Sequence, residues 1–166
     1  MSPQQARTIA DFLLADFEYE SPTTVRVIEA APADKLSYSP DAKSKGGLAL
    51  IRHIVIDDAW FFNSIADGKF VGGNNDQSDA CGIMTPADGA AKYKATVPAA
   101  VARIRALSDE KLAEEIDFFG MMKMPAACLI SLAVKHSVHH RGQLSSYLRA
   151  MGGKVPGIYG PSGDSQ

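Results

Sequence analysis

Apolar residues recur at helical spacing in four stretches of this 166-residue chain, separated by segments rich in Pro, Gly and polar side chains. The first stretch opens on Ser2-Pro3-Gln4-Gln5. Ser2 can cap a helix, Pro3 suits its first position, and Gln5 completes a capping box. Ile9, Phe12, Leu13 and Phe17 then follow on one face. Pro22 interrupts, but Val25, Val27 and Ile28 continue the pattern. Either the helix kinks at Pro22, or a second helix restarts there with Ser21 as its cap. A loop holding Pro32 and Pro40 leads to a second helix, in which Leu48, Ile51, Val55 and Phe62 form one apolar face. Ala49, His53, Ile56 and Trp60 form another, which predicts packing on two sides. Residues 68–84, rich in Gly, Asn and Asp, read as a long loop. Thr85-Pro86-Ala87-Asp88 starts a third helix on the same capping logic, with Tyr93, Val97, Val101 and Ile104 as its buried stripe. Ser108 to Met124 shows no convincing strand pattern and reads as a short helical turn and an irregular crossing segment. A fourth helix runs from Pro125 to Met151, stopped by Gly152-Gly153. The expected fold is all-α: an antiparallel four-helix bundle, by default up-down, with helices near 3–29, 44–67, 86–107 and 125–151. Residues 1–166 form a single domain on this reading, with a flexible tail over about 153–166.

The fourth helix carries the chemistry. At about 100° per residue, Leu129, Leu132, Ala133, His136, His140, Gln143, Leu144, Tyr147 and Met151 fall in one stripe. Ser131, Lys135, Arg141, Ser145 and Arg149 fall opposite, so Arg141 and Arg149 are expected to face outward and pair with acids there. His136 and His140, one turn apart in the buried stripe, can converge on one ion. The alternative is two core histidines, each with one hydrogen bond, but two adjacent buried imidazoles need partners for all their ring nitrogens. His53, in the middle of the second helix, supplies a third imidazole. Three neutral imidazoles leave a tetrahedral or octahedral ion with open positions, as in a catalytic site. His139 lies about 60° off the His136 direction and reads as a flanking residue or a hydrogen-bond partner of a ligand, not as a ligand itself. Gly142, inside the helix, suggests close approach of a neighbouring backbone. Trp60, two turns after His53 on the same face, is expected to be mostly buried and to wall the site.

Composition narrows the classes. Apolar residues make up 46% and charged residues 22%, with a net charge of −2 and no block of like charge, so neither nucleic acid nor an acidic membrane surface is indicated. No apolar run approaches the roughly 20 residues that span a bilayer. The N-terminus lacks a basic segment followed by an apolar one. Cys81 and Cys128 match no redox or zinc spacing and read as reduced thiols, which places the protein in the cytoplasm.

The run His136-Ser137-Val138-His139-His140-Arg141-Gly142-Gln143-Leu144, followed by Tyr147-Leu148-Arg149 and Gly152, resembles the H-x-x-x-H-R-G-Q-L motif of the DinB/YfiT-like superfamily. Tyr38 to Ser44 and Leu50-Ile51-Arg52-His53 are similar to the loop and helix that deliver that family's remaining histidine, and Glu20 to Thr24 with Val27 resemble its first helix. The resemblance covers most of the chain and is weakest over 68–124. It implies a four-helix bundle whose three histidines bind nickel, zinc or a similar divalent ion, often as a homodimer. Characterised relatives include bacillithiol S-transferases and mycothiol-dependent maleylpyruvate isomerases. The family name implies no DNA chemistry.

Three functions follow as expectations. The first is a metal-dependent enzyme using a small thiol on a small-molecule substrate, as a transferase or isomerase. The second is a metal-dependent hydrolase, and the third a non-catalytic metal-binding stress-response protein. His53, His136 and His140 are the candidate ligands. Two carboxylates are candidates for proton handling. Asp57 sits one turn after His53 and could equally orient an imidazole or be a solvated surface acid. Glu20 shares a stripe with Ile9, Leu13 and Val27, near the metal or where the first helix becomes exposed.

Overall fold

The computed structural model of the protein describes residues 1–72 and 78–165. The centre of the expected 68–84 loop and the last residue of the tail lie outside the described residues. Four long helices make the bundle: α1 Pro3–Glu29, α2 Gly47–Ala66, α3 Pro86–Arg105 and, after a short α4 (Asp109–Ala113) and a two-stranded hairpin, α5 Ala126–Ala150. The hairpin pairs β1 (Glu115–Phe118) with β2 (Met122–Pro125), antiparallel, with Phe118 opposite Met122.

Both capping boxes form. Ser2 Oγ accepts from Gln5 N at 3.2 Å while Gln5 Oε1 accepts from Ser2 N at 2.9 Å. Thr85 and Asp88 make the same reciprocal pair at 3.2 and 2.9 Å. α1 passes through Pro22 as one helix, and Ser21 Oγ donates back to Phe17 O at 2.9 Å. α2 begins at Gly47 rather than near 44, because Asp41 Oδ1 takes the Lys43 and Ser44 N–H groups at 2.8 and 3.0 Å into a local turn that competes with helix. The helix start is then tied to the preceding loop through Gly47 N–H to Tyr38 O and Leu48 N–H to Leu36 O, both 2.9 Å.

The order of the helices around the bundle differs from the default. α2 runs antiparallel to α5: Gly47 lies beside Met151, and His53 beside His136 and His140. α3 runs parallel to α2, with Gly89 against Ile51 and Arg103 bonded to Asn63 and Asp67. α1 is antiparallel to α3, with Glu29 on Lys94 and Glu18 on Arg105, and parallel to α5, with Glu20 on Arg141. The succession is therefore up-down-down-up, made possible by long connections after α1 and α2. α1 and α2 sit diagonally and meet in the core, where Phe17 and Phe62 have ring centroids 4.4 Å apart.

Among its described residues the tail has no helix or strand, yet it is tied to the bundle. Asp164 accepts from Arg149 Nε and Val155 N at 2.9 Å, and Val155 and Ile158 pack on the core. Among the described residues no helix is long and apolar enough to cross a membrane.

Candidate metal centre

The two apolar faces expected of α2 have different fates. Ile51, Val55 and Phe62 are buried in the core, whereas Ala49, His53, Ile56 and Trp60 are all half-buried. Ile56 and Trp60 of that second stripe still pack on the edge of the core, and His53 meets the histidines that α5 presents.

The structure brings the three histidines together. His53 Nε2 lies 3.1 Å from His140 Nε2 and 3.3 Å from His136 Nε2. One ligand atom from each lies within 4.8 Å of the others, a group that could hold a metal ion. The outer ring nitrogens are oriented by neighbours. His53 Nδ1 is 2.9 Å from Asp57 Oδ2, and His140 Nδ1 is 3.0 Å from Gln143 Oε1. Gln143 donates through Nε2 to the Tyr147 hydroxyl at 3.1 Å, so its carbonyl is the atom facing His140, and His140 Nδ1 carries the hydrogen. His136 Nδ1 faces Asp58 Oδ1 at 3.7 Å. Burial, more than its neighbours, pushes the His140 imidazolium down to about 4, so this ring is neutral at physiological pH.

This arrangement fits a cation. His53 and His140 each meet a partner through Nδ1; with hydrogens there, their Nε2 lone pairs face each other and neither can donate to the other. Ligand bonds of about 2.0–2.1 Å at tetrahedral to octahedral angles put donor atoms about 2.9–3.4 Å apart. The two separations from His53 Nε2, 3.1 and 3.3 Å, lie in that range. Charge agrees. Asp58 is buried and its partners are Tyr93, Ser137 and the His136 ring, with no Lys or Arg. Burying a carboxylate without a counter-charge is costly. An imidazole donor set suits zinc, nickel, copper or iron rather than calcium or magnesium.

Other expected positions are placed as follows. Asp57 is in the cluster, bonded to His53 and 3.8 Å from His136 Nε2. Glu20 is not brought to the histidines. It lies on the other flank of α5, ion-paired to Arg141 and accepting from the Tyr159 hydroxyl at 3.1 Å. Arg141 does not face outward but is 1% exposed, because α5 is clasped by α1 as well as α2 and Arg141 points at α1. Arg149 does face outward and pairs with Asp164. His139 is exposed, outside the three-histidine group. Gly142 meets no close backbone: a Cβ there would have no neighbour within 4 Å. Trp60 keeps only a minor part of its surface exposed, as expected of a mostly buried ring, but the ring against His136 is that of Phe61, at 4.9 Å between centroids. Trp60 packs on Phe61, Phe70 and the hairpin tip's Phe119.

Asp58 and Gln143 are the functional neighbours that sequence reasoning missed. A signal for Asp58 existed: it occupies the next position of the Leu48, Ile51, Val55, Phe62 stripe, where an apolar side chain is expected. The roomier grooves of the molecule lie away from the histidines. One of ≈ 530 Å³ runs between α1 and α3, and one of ≈ 720 Å³ lies between α1, β2 and α5.

Fold and site together define a helical bundle with a candidate three-histidine metal centre set between two facing helices. The chain belongs to the DinB family, whose model matches residues 4–165. It is 32% identical over 132 residues, 78% of this chain and 82% of the relative, to the uncharacterised protein YjoA of Bacillus subtilis strain 168. A crystal structure of a DinB-like protein from Bacillus cereus ATCC 10987 superposes with a TM-score of 0.74 at 26% identity, covering 89% of this chain and 95% of that one. The crystal structure of the mycothiol-dependent maleylpyruvate isomerase gives a TM-score of 0.61 at 10% identity, over 87% of this chain and 61% of that one, a likeness of fold alone.

Proposed function

We propose that this protein is a metal-dependent enzyme that uses a small thiol to transform a small electrophile, by transfer or isomerisation. The observation that carries the reading is the group of three converging, half-buried imidazoles. Three protein ligands leave positions for an exogenous one. The mycothiol dependence of the isomerase with the same fold supports a thiol as that ligand. His53, His136 and His140 would hold a divalent ion, nickel or zinc on this donor set, which would supply a Lewis-acid position favouring the thiolate form of a small thiol. Asp57 holds His53 in the tautomer with Nε2 free, and its carboxylate is placed to accept a proton. Glu20, engaged by Arg141 and Tyr159, is assigned to the architecture. A dimer is expected as well, since α1 exposes Phe12 (71%) and Tyr19 (76%) beside the ≈ 720 Å³ groove. Sedimentation at micromolar concentration checks it, and a monomer refutes it.

The test is to load purified protein with Co²⁺ and titrate 2-mercaptoethanol. A sulfur-to-cobalt charge-transfer band in the near ultraviolet, saturating with thiol, is the expected result. No band, together with cleavage of activated esters whose rate rises through a neutral pKa, would establish the hydrolase reading instead. No band and no turnover would leave the non-catalytic one.

A further inference from the structure

Asp58 side-chain oxygen Oδ1 and His136 Nδ1 are the buried side-chain polar atoms that lack a hydrogen-bond partner among the described residues, and they face each other at 3.7 Å. That is too long for a hydrogen bond. Two orphans aimed at one another are a bond waiting for a small displacement. Which side moves follows from the restraints. Asp58 Oδ2 accepts from Ser137 Oγ at 2.6 Å and from Tyr93 OH at 3.0 Å, so hydroxyls from α5 and α3 fix the carboxylate. Its side chain is 0% exposed. Burial, and then the Asp58 charge, push the Tyr93 phenol well above its ordinary value, so it remains a donor. The His136 ring, 16% exposed and edge-on to two other imidazoles, is the freer partner.

We infer that Asp58 is a positioning residue for the metal centre: when an ion draws in His136 Nε2, the ring turns and donates Nδ1–H to Asp58 Oδ1, completing a strut from α3 through α2 to the ligand. This rests on the metal reading above. The bond fixes the hydrogen on Nδ1, which keeps the Nε2 lone pair for the ion and raises the basicity of the imidazole. The ion in turn supplies the counter-charge that the enclosed carboxylate lacks. Each of the three imidazoles then has its own anchor: Asp57 for His53, Asp58 for His136 and Gln143 for His140. Asp58 is anchored by two other helices, so it couples affinity for the ion to the packing of the bundle.

The test compares wild type with Asp58→Asn, Tyr93→Phe and Ser137→Ala. Affinity for Ni²⁺ and Zn²⁺ is read by competition with a chromophoric chelator, and thermal melts are run in chelator. Asp58→Asn is expected to weaken the ion about 10–100-fold, without lowering the melting temperature of the metal-free protein. Tyr93→Phe and Ser137→Ala are expected to give severalfold losses in the same direction. A slowly exchanging His136 Nδ1 proton should appear by NMR in the loaded wild type and vanish in Asp58→Asn. Unchanged affinity in Asp58→Asn, or no such proton in the loaded wild type, overturns the inference. Should Asp58→Asn fail to fold, the wild-type proton and the Tyr93→Phe and Ser137→Ala affinities decide it. A wild type that binds neither ion sinks the metal reading itself, which is a different failure.

Discussion

Two polar clusters lie back to back on α5, built on the consecutive residues His140 and Arg141, and they are opposites. Arg141, Glu20 and Tyr159 satisfy one another. The guanidinium pairs with the carboxylate, donates to Glu20 O at 3.3 Å and to the Tyr159 hydroxyl at 2.6 Å, and lies over the Tyr159 ring. Charge and donors match without help. Across the helix, three ring nitrogens of the same kind face one another beside two buried acids. Burial of polar groups is therefore a poor guide to function by itself. A cluster complete in itself is architecture, and a cluster with like atoms face to face is built for something added.

The contrast can be broken most forcefully at Glu20. Glu20→Ala strands a buried guanidinium and is expected to cost about 3–5 kcal/mol in denaturant unfolding, while the folded fraction keeps its metal stoichiometry. Loss of metal binding by folded Glu20→Ala would join the two clusters into one. Next in size are the ligands. His53→Ala, His136→Ala and His140→Ala should each weaken the ion by more than the roughly 100-fold upper range of an outer-sphere change, whereas His139→Ala should shift it by less than about 3-fold. Calorimetric titration ranks them, and a His139 effect equal to that of His140 would mean the helix register is wrong.

A gentler probe is pH. The His140 imidazole resists protonation down to about 4 in the folded protein, against an ordinary value of 6.5. A depressed value means the unfolded chain takes up the proton first. This contribution to stability is intact above about 6.5 and is lost as pH falls toward about 4. The metal-free melting temperature should fall through that window, and His140→Ala should flatten the fall. Smallest is Tyr159→Phe. It removes one hydroxyl from the self-contained cluster and should cost about 0.5–1.5 kcal/mol with metal affinity unchanged.

Much of this was legible in the chain. The ends of α1 and α3 are written as capping boxes at Ser2 and Thr85, and the structure starts both helices there. The order of helices was not legible, because Leu and Val stripes give each helix a buried face but not a neighbour. The hairpin was hidden because its turn is Phe119-Gly120, with φ of 54° and 71°, rather than the Asn-Gly or Asp-Gly that such left-handed turns favour. The three histidines were picked out by spacing and resemblance, but Arg141 was misplaced. Counting one buried stripe on α5 overlooks that two helices clasp it. Asp58 went unnoticed because its neighbour Asp57 offered the simpler one-turn relation to His53.

The two imidazoles that α5 brings to His53 lie 83 and 87 residues from it along the chain. During synthesis the N-terminal part is made first, so His53 emerges long before any partner exists. The ligand set is complete only after residue 140 of 166 has been added. A centre built from these three imidazoles can therefore form only late in the life of the chain, and a product truncated before α5 carries just one of them.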